Sequence, residues 1–93
     1  MKTNKQVIQA WNNGEQARSG RLKTDGNRLW SYGLCIGRSD SNGGKVIFDF
    51  TAGGGAFASM TTSTHVNLTK RLTPKGSCTV MRPDVASHAG LID

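Results

Sequence analysis

Residues 24–27, "TDGN", stand between two extended-looking runs, and the run that follows, "RLWSYGLCIG", alternates over ten residues. Asp-Gly is a strong hairpin signal, because both central positions of the favoured turn want positive φ. Asp25 and Gly26 are therefore expected to be the turn residues of a β-hairpin. On the returning strand, Arg28, Trp30, Tyr32, Leu34 and Ile36 form one alternate set, and Leu29, Ser31, Gly33, Cys35 and Gly37 the other. Aromatic and aliphatic residues dominate the first set, which is expected to face the core. The second, mostly small, suits a solvent face or a close backbone approach.

The remaining segments extend this frame. "TNKQVIQAWNNG" reads as a helix capped by Thr3 or Asn4, with Val7, Ile8 and Trp11 on one side and Gly14 free to take the left-handed conformation at its end. "SDSNGG" is a turn cluster, and "KVIFDF" a strand with Val46, Phe48 and Phe50 on one face and Lys45, Ile47 and Asp49 on the other. After the glycine-rich "TAGGG", a short strand is expected around Phe57–Met60. A helix then runs over 63–72, with Ser63 or Thr62 at its N-cap and Lys70 and Arg71 in its last turn. His65, Leu68, Thr69 and Leu72 share a face, and Pro74 ends the helix. Cys78–Met81 gives one more edge strand. The expectation is an α+β fold: an antiparallel meander of four to five strands, an N-terminal helix, and a second helix near residues 63–72. Both helices are expected on one face of the sheet. Residues 1–82 form one compact domain, and 83–93 a weakly ordered tail.

With 93 residues, one core is the natural limit. No apolar run approaches the ~18 residues of a membrane-spanning helix. The N terminus lacks the apolar stretch and cleavage site of a signal peptide, so a cytoplasmic protein without a membrane partner is expected. Cys35 and Cys78 are then reduced thiols. Cys35, His65, Cys78 and His88 lack the close spacing of preformed zinc ligands, and neither a metal nor a cofactor is expected.

The net charge is +6, with residues 1–38 carrying seven cations against two carboxylates, a net +5. Such a field favours a polyanionic partner, nucleic acid first. Arg18, Arg21, Lys23 and Arg28 cluster around the expected hairpin, where they can track phosphates, and a two-stranded basic ribbon fits a major groove. Trp30 and Tyr32 can stack on unpaired bases, although their alternation favours the core. A second anion site is readable in "TTSTH": free amides at a helix start beside the hydroxyls of Thr62, Ser63 and Thr64, with Lys70 and Arg71 at the far end. Capping alone accounts for Ser63 and strand propensity for Thr62, and this plainer reading is favoured. "AGGGA" lacks the lysine and spacing of a phosphate-binding loop. Carboxylates are scattered, and nothing in the chain places a cysteine beside a histidine, so an enzyme is not expected.

"GRLKTDGNRLWSYGLCIG" followed by "TTSTHVNLTKR" resembles a family of small phage and prokaryotic proteins in which a "SYG" strand leads into "TTS-x-H-x-N" and a basic helix end. The likeness covers about residues 7–72. It implies a phage or mobile-element origin and a compact strand-plus-helix domain, and supplies no catalytic residues. Three functions follow as expectations. The first is a non-enzymatic accessory protein that binds nucleic acid through the basic hairpin surface. The second is a phage-encoded inhibitor of a host-defence protein or nucleoprotein, such as a CRISPR effector. The third is a small structural or assembly subunit that self-associates through a sheet edge. The oligomeric state stays open.

Overall fold

The computed structural model describes residues 2–40, 43–51 and 58–90. The fold is α+β, with helices around a six-stranded mixed sheet whose strand order follows the chain. Helix α1 (Asn4–Asn12) leads into strands β1 (Gln16–Arg18), β2 (Leu22–Asp25), β3 (Arg28–Ser31), β4 (Leu34–Ser39) and β5 (Lys45–Phe48). Helix α2 (Met60–Leu72), a 3-10 turn (Lys75–Ser77), strand β6 (Cys78–Met81) and helix α3 (Pro83–His88) complete it. β1 to β5 pair antiparallel, as a meander joined by tight turns must. β6 pairs parallel with β5, because the intervening chain crosses over as α2 rather than reversing in a hairpin. No described helix is long and apolar enough to cross a membrane.

α1 forms where the sequence places it. Thr3 Oγ1 accepts from the Gln6 amide, and Gln6 Oε1 accepts from the Thr3 amide, a reciprocal cap. Gly14, at φ 73°, turns the chain out of the helix. Val7, Ile8 and Trp11 are fully buried against Leu22, Leu29, Ile36, Ile47 and Val66, the main core. Trp11 anchors it: its indole N–H donates to the Asn27 carbonyl at 2.8 Å, and a Cβ on Gly37 would lie 3.0 Å from the ring. Lys45 closes the helix end. Its Nζ donates to the Trp11 carbonyl at 2.7 Å and to Ser39 Oγ at 2.6 Å, and sits 5.0 Å from the Trp11 ring centre.

The hairpin region differs from expectation in three ways. The β2–β3 loop is Gly26–Asn27, one residue later than Asp25–Gly26, since Thr24 pairs with Leu29. Asp25 instead caps the loop: its Oδ1 accepts from the Asn27 and Arg28 amides, both at 2.9 Å. The Arg28 amide is the main reason that the carboxyl lies below its ordinary pKa. Second, "RLWSYGLCIG" is two strands. The chain reverses at Tyr32 (φ 53°) and Gly33 (φ 83°), so the turn with two positive φ values lies here. Third, the faces of β3 are exchanged: Leu29 and Ser31 are fully buried, while Arg28 and Trp30 are half-buried on the opposite side and Tyr32 is exposed. Alternation does not carry across a reversal. It is offset again in β4, where Leu29 pairs with Gly37 but Trp30 with Cys35, and the extra residue, Ile36, enters the core.

β5 alternates as read and is buried on both sides. Lys45 and Ile47 face α1 and α2, whereas Val46 and Phe48 pack with Ala86 of α3. The helices therefore do not all share a face: α1 and α2 cover one, and α3 caps the β5 end of the other. The sequence assigns weak order beyond residue 82, and the structure places α3 there with Ala86 fully buried. α2 begins at Met60, where a strand was expected, with Ser59 rather than Ser63 or Thr62 at its N-cap. The glycine-rich segment and the beginning of that expected strand lie outside the described residues.

Candidate nucleic-acid interface

One feature of the sheet follows directly from its register. Arg18 pairs with Lys23, Lys23 with Trp30, and Trp30 with Cys35, so these four side chains form a row across β1 to β4 on one face. Ala17, Thr24 and Leu29 form the neighbouring row on the opposite face, beneath α1, and all three are buried. α3 packs at the β4–β5 end of this face, where Ala86 joins Val46 and Phe48 and the cluster takes in Cys35, the last member of the row.

Within the row Lys23 Nζ lies 5.3 Å from the Trp30 ring centre. Just beyond the ends of these two strands, the Tyr32 amide donates to the Arg21 carbonyl at 3.0 Å, and the Arg21 guanidinium lies 5.7 Å from the Tyr32 ring centre. Both distances are within the range in which a cation is attracted to an aromatic face. The two pairs border a shallow concavity of about 180 Å³, lined by Arg18, Arg21, Leu22, Lys23, Trp30 and Tyr32 among others. Positive charge and accessible aromatic carbon thus share one surface. Arg28 opens β3 at the other end of this face and is half-buried.

The residues of the second expected anion site are placed differently. The helix starts at Met60, so Thr62, Ser63 and Thr64 lie within its first turns and not ahead of its free amides. Thr62 is buried beside Ser31, with 3.2 Å between the hydroxyl oxygens. Thr64 Oγ1 donates to the Met60 carbonyl, and the Ser63 amide to the Ser59 carbonyl. Lys70 pairs with Asp49 at 3.1 Å, while Arg71 is exposed on the outer side of α2. Thr62 lies on the α2 side of the sheet, and Arg18 and Lys23 on the other. The "TTSTH" hydroxyls and the basic strands do not form one surface.

Thr62 belongs to a buried polar chain that sequence reading did not anticipate. Ser19 Oγ donates to Asn4 Oδ1 at 2.7 Å, Asn4 Nδ2 faces His65 Nε2 at 3.4 Å, and His65 Nδ1 lies 2.7 Å from Ser31 Oγ. With Asn4 Oδ1 accepting, its Nδ2 donates to His65 Nε2. The imidazole proton then sits on Nδ1 and is donated in a hydrogen bond to Ser31 Oγ, whose hydroxyl shares a further hydrogen bond with Thr62 Oγ1. A nucleophilic serine needs the opposite polarity, with the imidazole as acceptor, and it needs access. Ser31 is fully buried and His65 nearly so. Burial holds the His65 pKa below its ordinary value, and the nearby charge of Arg21 acts in the same direction. No spacing rule links residues 4, 19, 31, 62 and 65. The sequence trace is the face of α2 that carries His65, with Ser31 and Thr62 polar at positions that turn out to face inward.

Both cysteines are free and half-buried, and burial pushes the Cys78 thiol up, away from the reactive thiolate. Among the described residues no group of three histidine, cysteine or carboxylate side chains is placed to hold a metal ion. Comparison with family models, curated proteins and solved structures finds no match for this chain.

Proposed function

We propose that this protein is a non-enzymatic accessory protein that binds nucleic acid through the face of β1 to β3 opposite α1 and α2. The observation that carries this reading is the shared surface of Arg18, Arg21 and Lys23 with Trp30 and Tyr32. Arg18 and Lys23 are held by paired strands and Arg21 by the loop between them, and the net charge of +6 adds long-range attraction. The likeness to small phage proteins fits an accessory role of this kind.

Fluorescence anisotropy with labelled nucleic acid, titrated with salt, tests it. Three phosphate contacts give a slope of log affinity against log salt of about −2 on a single strand and about −3 on a duplex. Arg18→Ala, Arg21→Ala and Lys23→Ala should each make the slope shallower by nearly one. Arg71→Ala, on the far side of α2, should leave it unchanged. No binding at low salt overturns this reading and points to a protein partner, such as the host-defence nucleoprotein expected from the sequence.

A further inference from the structure

We infer that the nucleic acid taken by this face is a single strand, with unpaired bases stacked on Trp30 and Tyr32, and not a duplex. This inference rests on the nucleic-acid reading above and narrows it.

A duplex is disfavoured by geometry. A two-stranded ribbon can enter a major groove only if it projects, and the β2–β3 ribbon does not. β1 flanks one side and β4 the other, each hydrogen-bonded along its length. Its Gly26–Asn27 tip is docked on the end of α1: the Asn27 carbonyl takes the Trp11 indole, and a Cβ on Gly26 would lie 2.6 Å from the Gly14 oxygen. Four strands about 4.8 Å apart present a front of about 14 Å, wider than the ~12 Å major groove before any side chain is counted. A broad, basic front of this kind suits a strand laid across it.

The aromatic residues supply the second observation. Tyr32 is 56% exposed, adds nothing to either apolar cluster and sits at φ 53°. A bulky side chain is disfavoured there, where Asn or Gly is the ordinary occupant. A strained backbone that presents an exposed ring indicates selection for the ring and not for the turn. The Tyr32 ring stands at the sheet end, 6.3 Å from the His65 ring on its inner side. It lines one concavity with Trp30, which has Lys23 as the cation at its ring. Stacking of a base on an aromatic ring is worth more than an exposed cation–π contact. An arriving base therefore displaces Lys23 or Arg21 from its ring, and the freed cation turns to the adjacent phosphate. Each pair then serves one nucleotide twice, by its ring and by its charge.

The test compares a labelled ten-nucleotide oligo(dT) with a ten-base-pair duplex at low salt, by anisotropy and by tryptophan emission. Oligo(dT) should bind at least about tenfold more tightly, and should quench Trp30 while the buried Trp11 keeps its emission. Trp30→Ala should lose about tenfold in affinity for oligo(dT) with an unchanged salt slope, because a stack and not a phosphate contact is removed. Tyr32→Asn guards against a folding artefact: it relieves the strained turn and should raise the thermal midpoint while also weakening oligo(dT) binding severalfold. Equal binding of duplex and oligo(dT), or full binding by both variants, overturns the single-strand inference and leaves the nucleic-acid reading standing. Binding of neither ligand overturns both.

Discussion

Along β2 and β3, neighbouring residues look out on opposite surroundings. Leu22, Thr24, Leu29 and Ser31 are buried beneath α1 and α2, and both hydroxyls there are committed: Thr24 Oγ1 donates to the Arg28 carbonyl, and Ser31 Oγ is hydrogen-bonded to His65 and Thr62. Lys23 and Trp30, one residue away in each strand, touch each other and solvent. The same backbone thus carries a closed face whose parts depend on one another and an open face whose parts act singly. Interlocked packing and buried hydrogen bonds make the first intolerant of change. The second is tolerant in stability terms and is free to be selected for binding.

The sharpest way to break that contrast is at Trp11. Trp11→Ala removes the ring that meets Gly37, Lys45 and the Asn27 carbonyl, and should lower unfolding free energy by about 3–5 kcal/mol in urea titrations. A loss below about 1 kcal/mol would mean that the closed face is not interlocked. Ser31→Ala should cost about 1–3 kcal/mol, because the His65 Nδ1–H is left buried without an acceptor. A neutral outcome would show that the polar chain is dispensable.

Acidity gives a graded version of the same test. His65 has a folded pKa below its ordinary 6.5, so the unfolded chain takes up the proton first. Its contribution is fully present above pH 6.5 and declines as the pH falls through and below that value. His65→Gln should flatten stability between pH 7 and 5. Asp25, whose folded pKa is lowered from 3.8, acts in a separate window, near and below pH 4. If the His65→Gln protein keeps the wild-type slope between pH 7 and 5, the buried imidazole is not its source. The smallest effects belong to the open face: Arg18→Ala and Lys23→Ala should each change unfolding free energy by no more than about 0.5 kcal/mol. A larger cost would show that these cations hold the sheet together and are not spare for a ligand.

Local signals were legible where one element decides them. α1, with its reciprocal cap, its buried Val7, Ile8 and Trp11 and its Gly14 exit, appears as the residues direct. So do the alternation of β5, the His65–Thr69 face of α2 and the edge strand β6. The basic cluster of Arg18, Arg21 and Lys23 could also be named from the sequence, since its members lie within six positions. Ser63 was misread as a cap because Ser59, Thr62, Ser63 and Thr64 all carry suitable hydroxyls, and only packing selects among them. Tyr32–Gly33 was missed as a turn because tyrosine carries no turn signal.

What the chain's residues determined unaided was the class of fold, its antiparallel beginning, its first helix and the concentration of positive charge in its first half. These follow from interactions within a few residues: caps, alternation, hairpin loops and charge spacing. Only the tertiary structure decided which side of β3 is the inside, that β6 runs parallel to β5, that α3 caps the far face, and that Asn4, Ser31, Thr62 and His65 meet. Each depends on a reversal, a bulge or a crossover that changes register, and one such step moves every later side chain to the other face of the sheet.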